Sequence, residues 1–349
     1  MRLYIYFFNY EHMRLSESLR RGILNATIGG IVNKFKIKHR RSTLFFEDIL
    51  ANYIDECEKA GYEDEMMDIG RRWGFVGTEA LTPDPVKILP TDMVLNLFGK
   101  KVWINTGLFD DFHAVREKDV VTIKTRNEFI TRLIGENKFA LGAANGILNA
   151  LVKSESICIE SVQTKEDCKY VYRITKNPFN VETREKQIYN KLNRLPDVEG
   201  ISLKDALHRN VLQLQEKNRL YFRGRLILPL ENTLFHIISN RGLLMERLPK
   251  ISYDYFYGIL ERKCPANQLL SLLKNLLQIT GWGIVTIITK GDTKIIVEIQ
   301  NPPHGLQTEP DNWEFIARTI LGYLWVLNRN FKMKDVSHAY KKIVIEYSR

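Results

Sequence analysis

The feature that most constrains this chain is an internal recurrence. Residues 95–174 and 269–348 align without a gap at a constant offset of 174. Thr106-Gly107 falls on Thr280-Gly281, Asn127 on Asn301, Phe139 on Trp313 and Val162 on Val336. Only 8 of the 80 aligned pairs are identical, close to chance, so the weight rests on element order. In the first half the run VVTIKT (120–125) precedes a helical stretch at 137–152 and two alternating strands, 157–162 and 168–174, around the turn TKED. The second half has a hairpin turning at Gly291-Asp292, a helix at 311–328 and the closing strands FKMKDV and KKIVIEY. That order predicts a duplicated domain.

The remaining periodicities complete the outline. Residues 3–8 read as a strand, and 15–33 have helical apolar spacing. Helices are expected at 43–60, capped by Ser42 or Thr43 and ended by Gly61, and at 64–80 and 91–98. VWIN (102–105) reads as a strand, and REKD (116–119) as a turn. In the second half 233–245, YDYFYGILERK and 266–278 read as helical. Residues 176–218 are charged, with Ser202 and Asp205 as a cap-like helix start. They read as a helical connector, and their turn is longer than a helix-turn-helix reader uses. The expected domains are therefore 1–175, with a basic N-terminal segment, and 219–349, joined by 176–218.

The 349 residues carry a net charge of +10, unevenly placed. Residues 1–41 hold nine Lys/Arg against two Asp/Glu. The densest cluster, KFKIKHRR, makes Lys34, Lys36, Lys38, Arg40 and Arg41 a candidate anion-binding set for nucleic acid or an anionic membrane surface. Phe35 is the sole aromatic there, which fits a solvated turn better than a single-strand binder. No run reaches the roughly 18 apolar residues of a membrane helix, so no span is expected. MRLYIYFFNYEHMR lacks a basic region ahead of its apolar stretch and reads as a strand, not a secretion signal. Four cysteines in so long a chain point to a reducing, cytoplasmic setting.

Each half resembles the 4-vinyl-reductase domain, of the superfamily that also holds heme nitric-oxide-binding domains and core subunits of the TRAPP trafficking complex. The resemblance is clearest in NKFALGAANGILNALVKSESICIESVQTKEDCKYVYRI (137–174), where Phe139, Gly142, Gly146, Cys168, Tyr170 and Tyr172 match. TGWGIVTII and NWEFIARTILGYLWVL are the similar stretches of the second half, and coverage is 42–174 and 219–348. It implies an α+β fold of two repeated domains, each with helices packed on one face of an antiparallel sheet. It also implies a small apolar ligand or assembled partners, often as a dimer. The chain departs from the family at its paired cysteines: the partner position of Cys168 is Glu160, and the second half has Lys342 in place of Cys168. Cys158, ten residues back, is expected across from Arg173. No proximal histidine accompanies a Tyr-x-Ser-x-Arg signature, so no heme is expected.

Cys158 and Cys168 lack zinc spacing and read as small buried residues. His113, near Asp110 and Asp111, is a possible base with an orienting carboxylate, or an exposed turn. His304 reads as a loop residue. No phosphate-cradling glycine loop is present, and no cofactor or metal is expected. Gly142 and Gly146, with Ala143 and Ala144, either bring their helix close onto the sheet or leave room for a ligand. The candidate pocket is therefore Phe139, Gly142, Ala143, Gly146, Cys168, Tyr170 and Tyr172. Ile316 and Ile320 stand at the aligned positions, so any pocket should be more open in the first half. Trp282, Trp313 and Trp325 read as core of the second. The sequence thus predicts a non-enzymatic, ligand-binding regulator built as a tandem pseudo-dimer. The alternatives are a ligand-free assembly scaffold, or nucleic-acid or anionic-surface binding through 34–41. A homodimer or protein partner fits either of the first two.

Overall fold

The computed structural model describes residues 24–27, 30–33, 40–82, 89–181, 202–215, 219–231, 233–260, 264–303, 313–339 and 342–349. Strands β1 Leu24–Thr27, β2 Gly30–Asn33 and β3 Arg40–Phe46 come first. Helices α1 Glu47–Lys59, α2 Glu63–Leu81 and α3 Thr91–Phe98 follow. Next are β4 Asp111–Glu117, β5 Val120–Arg126, α4 Lys138–Val152, β6 Ser154–Gln163 and β7 Asp167–Pro178. Then come α5 Leu203–His208, β8 Gln213–Leu214, β9 Leu220–Phe222 and β10 Arg225–Glu231. The chain continues through α6 Thr233–Arg241, α7 Leu248–Ile259 and α8 Ala266–Ile279. It ends with β11 Ile284–Lys290, β12 Lys294–Gln300, α9 Glu314–Leu327, β13 Lys332–Ala339 and β14 Lys342–Ser348.

The class is α+β, and the chain divides into two compact units that do not follow its halves. Among the described residues, one unit contains 63–181 and 212–228, and the other 25–62, 202–211 and 229–349. The expected boundaries at 175 and 219 are displaced: β2, β3 and α1 belong to the C-terminal unit, and β8 and β9 to the N-terminal one.

In the N-terminal unit an antiparallel sheet runs in the order β4-β5-β7-β6. Buried Cys168, Tyr170 and Tyr172 alternate along β7 and face the interior. There α4 lies on the sheet, with the Tyr172 hydroxyl donating to the Leu141 carbonyl at 2.9 Å. Asn137 caps α4 by accepting from the Ala140 N–H at 2.8 Å. In turn α2 lies on α4, making a third layer.

The C-terminal unit has a sheet of the same order, β11-β12-β14-β13. Here α9 lies on the sheet, with the Tyr347 hydroxyl donating to the Ala317 carbonyl at 2.8 Å. Outside it is α7, where the Ser252 hydroxyl donates to the Thr319 carbonyl at 2.7 Å.

Several aligned pairs adopt one conformation. Asn127 and Asn301, each just past the second strand, have φ of 48° and 50°. Gly107 and Gly281 have φ of 77° and 89°. The amides that follow them, Leu108 and Trp282, both donate at 3.0 Å to carbonyls of the preceding helical turn, those of Trp103 and Leu277. The offset is 174 for these residues and for β5 against β12. It does not hold farther on. Tyr172 corresponds to Tyr347 and Leu141 to Ala317, offsets of 175 and 176. Phe139 therefore matches Phe315, not Trp313, and Gly146 matches Gly322, not Ile320.

Other expectations need correction. Within 15–33 the described residues form β1 and β2, since Thr27, Ile31 and Val32 favour extended backbone and Gly29-Gly30 weakens a helix. RRSTLFF is a strand, and α1 starts only after Phe46, so Ser42 and Thr43 do not cap it. Gly61, at φ 92°, lies just beyond α1 as expected. VWIN is helical: a π turn at Gly99–Trp103 runs into a 3-10 turn at Ile104–Thr106. That path places Trp103 6.1 Å from Phe98 and 5.2 Å from Phe112, ring centre to ring centre. Ser202 and Asp205 form the capping box at α5. The strand read at 3–8 lies outside the described residues, as do residues 83–85 of the run TPDP (82–85).

Candidate functional site

The proposed pocket residues divide into a packed helix seam and a buried polar cluster. The seam comes first. Gly142 and Gly146 of α4 face α2, not the sheet and not a cavity. A Cβ on Gly142 would overlap the Met67 carbonyl, and one on Gly146 the Arg71 carbonyl. The approach is reciprocal, because Gly70 and Gly74 of α2 meet the carbonyls of Phe139 and Ala143. Four glycines at i, i+4 spacing on both helices thus bring two backbones together. Phe139 is buried beside them, its ring stacked on Trp73 at 5.8 Å. The space expected for a ligand is occupied by α2.

A small cavity lies in the C-terminal unit. It measures about 20 Å³ and is lined by Phe46, Phe256, Leu273, Trp282, Ile316 and Ile320 among others. That is room for about one water, among apolar walls that offer it little, against the roughly 300 Å³ of small-ligand pockets. Trp282 and Trp313 are fully buried there, as expected of core, whereas half-buried Trp325 donates to the Phe331 carbonyl at 2.8 Å.

The polar cluster gathers Cys168 and Tyr170 around a residue that sequence reasoning missed, Glu128. This carboxylate is buried just beyond β5. It accepts from the Thr125 hydroxyl at 2.5 Å and the Tyr170 hydroxyl at 3.1 Å. Tyr170 accepts in turn from the Gln163 side-chain amide at 2.9 Å, and the Gln163 carbonyl accepts the Asn137 N–H at 2.6 Å. A single directed chain of hydrogen bonds therefore joins the start of α4 to a buried carboxylate. Burial pushes the Glu128 carboxyl up to about 6 against the hydrogen bonds that favour its charge. Burial, then the Glu128 charge, pushes the Cys168 thiol up to about 12, which leaves it a poor nucleophile. Burial likewise raises the Tyr170 and Tyr172 phenols well above their ordinary value.

The turn that carries Glu128 is strained. Ile130, a β-branched residue, holds φ of 65°. Arg132 fastens this turn by donating to the carbonyls of Asn127 and Gly107, both at 3.0 Å.

A second missed cluster fixes α4 on β6. The Asn145 amide donates to the Ser156 carbonyl at 2.8 Å, and the Ser156 hydroxyl donates to Asn149 at 2.6 Å. Two asparagines at i, i+4 within an otherwise apolar helix face were the available signal.

The other candidates do not assemble. Asp110 accepts from Asn127 at 2.6 Å and from Arg219, and exposed His113 stands across from Lys124 in the β4–β5 pair. Cys158 pairs with Tyr172 and not Arg173, because a bulge intervenes before Glu160. Cys168 pairs with Gln163, so the two thiols stand four residues apart along β7. No group of three metal-ligating side chains occurs among the described residues. Lys34, Lys36, Lys38 and His304 lie outside the described residues, while Arg40 and Arg41 open β3. No helix among the described residues is long and apolar enough to cross a membrane. No protein-family model matches the chain, and no curated protein is similar to it in sequence.

Proposed function

We propose that the chain is a non-enzymatic assembly protein that works through its surfaces. The observation that carries this reading is the four-glycine seam. Where a ligand-binding relative needs a hollow, α2 and α4 meet backbone to backbone. The buried polar groups around Glu128 and Asn145 bond to one another and present no reactive pair to a substrate. Of the superfamily that the sequence resembles, this reading follows the trafficking-complex branch, whose members assemble with partners.

The test is a comparison of native and denaturing mass spectra of gently purified protein. The expected native mass is that of the chain or its multiples, with no accompanying small molecule. A stoichiometric apolar molecule released on denaturation would overturn the proposal and return the function to ligand binding.

A further inference from the structure

We infer that Glu128 is a proton-operated latch: the turn 128–134 stays closed while this carboxyl holds a proton and opens when it ionises. The two four-stranded sheets fill one layer in opposite ways, and strand pairing fixes which residues correspond. Thr125 stands opposite Cys168, and Ile299 opposite Ile343. Ile123 stands opposite Tyr170, and Val297 opposite Ile345. Thr125, Cys168 and Tyr170 of the N-terminal unit are therefore Ile299, Ile343 and Ile345 of the C-terminal one. Glu128, which follows Asn127, is Pro302, which follows Asn301. All of these residues are buried.

This topology thus packs well with no polar group in the layer. Burying a carboxylate there has a cost that the C-terminal unit avoids. A departure from good packing that the fold itself does not require is the mark of a functional position.

The segment around Glu128 is built to move. Asn127 and Gly135 bracket it with φ of 48° and 83°, and between them Ile130 holds φ of 65°. A β-branched residue is strained in that region, so the closed turn depends on the contacts that hold it. Those contacts converge on the carboxyl group. The Thr125 and Tyr170 hydroxyls donate to the same oxygen, Oε2, at 2.5 and 3.1 Å. The acid form carries its proton on the other oxygen and keeps both bonds. Ionised, the group puts a charge into the layer that isoleucines fill in the other unit. Opening releases that charge to water and uncovers Phe129 and Ile130, which the closed turn buries.

The groups that face Glu128 set the direction of the response. Arg132, in the same turn, is the facing charge, and it opposes opening of the ionised form. Cys168 and Tyr170 face it from β7, and both stay protonated well above neutral pH. β5 contributes the uncharged Thr125, and the start of α4 contributes the uncharged Asn137, reached through Gln163. His113 of β4 points to the opposite face of the sheet, across from Lys124.

The test is hydrogen exchange of the full chain, corrected for intrinsic rates. The closed carboxyl titrates at about 6 and an exposed one at 4.5, so the closed turn binds the proton more tightly. Closing is favoured below the lower value and loses that advantage as pH rises through the upper one. Opening of 128–134 should therefore increase about twentyfold from pH 4 to pH 7, while residues 295–301 of the C-terminal unit do not follow. Glu128→Gln should remove the pH dependence. Tyr170→Phe keeps the ring and the carboxylate but removes a donor that favours the charge, so the midpoint should move to higher pH. A merely structural role for Tyr170 would change opening alike at every pH. Equal opening at pH 4 and pH 7, a slope that remains in Glu128→Gln, or an unmoved midpoint in Tyr170→Phe overturns the latch. If Glu128→Gln does not fold, the Tyr170→Phe midpoint decides.

Discussion

The Tyr170 hydroxyl donates to the buried Glu128 carboxylate at 3.1 Å. Protonating Glu128 asks this acceptor to become a donor, so the pair couples pH to the packing of β7. The folded carboxyl titrates at about 6 against 4.5 when unperturbed. Between these values the folded state holds the proton more tightly than the unfolded state does. Stability therefore falls as pH rises through this window, by about 2 kcal/mol in all. Facing groups are Thr125, Cys168, Tyr170 and Arg132, and the arginine charge limits the effect. Hydrogen exchange of the β5 and β7 peptides, corrected for intrinsic rates, should show more protection at pH 5 than at pH 7. Glu128→Gln should flatten that difference; a slope that survives the substitution would assign it to another group.

The glycine seam predicts opposite outcomes for two substitutions of one kind. Gly142→Ala drives a methyl into the Met67 carbonyl, a backbone atom that cannot swing aside. The helices must part, at a cost of about 3 kcal/mol or more. Gly258, exposed in α7, has nothing within 4 Å of its missing Cβ. Gly258→Ala should stabilise by up to about 1 kcal/mol by stiffening the unfolded chain. Thermal unfolding of the two variants beside the parent reads both signs. A neutral Gly142→Ala would mean that the seam yields, and would reopen the ligand reading.

The Asn145, Ser156 and Asn149 triad predicts a loss without any cavity of consequence. Ser156→Ala removes one oxygen and leaves Asn149 and Asn145 each short of a partner in the interior. A cost of about 1–3 kcal/mol is expected from desolvated, unmatched amides. Replacing both asparagines by leucine in the serine-free background should recover part of it. Chemical denaturation of the single and combined variants separates this account from simple loss of volume.

Strand and hairpin order was legible in the sequence because it rests on alternation and turn chemistry, which are local. Gly291-Asp292 is an example: the turn expected there joins β11 and β12, with Gly291 at φ 58°. Residues 40–46 were not legible as a strand, because RRSTLFF also has polar cap residues ahead of an apolar run, and pairing decides between the readings. VWIN was misread for the same reason: β-branched residues enter a π turn once Gly99 admits the Phe112 ring against its Cα. Among the site residues, Cys168 and Tyr170 were found but Glu128 was not. Its burial depends on Thr125 and Tyr170, which reach it from two different strands. Gly142 and Gly146 were recognised as close-approach positions, yet the element that fills their space was not, because nothing on α4 names α2 as its neighbour.

Tyr172 and Tyr347 give the most direct energetic test of the recurrence. Each is fully buried on the last strand of its sheet, and each hydroxyl donates to a carbonyl in the first turns of the helix above. Removing the hydroxyl while keeping the ring leaves that carbonyl only its helical bond. Tyr172→Phe and Tyr347→Phe should therefore each cost about 1 kcal/mol. The two residues share no partner, so the costs should add within about 0.5 kcal/mol in the double variant. Each should also stay local, loosening hydrogen exchange in α4 for Tyr172→Phe and in α9 for Tyr347→Phe. Equal, additive and local effects would mean that the two sheets hold their helices by one device used twice. A large effect at one tyrosine and none at the other would mean that only one helix depends on its hydroxyl, and that the shared topology is kept by different interactions in the two units.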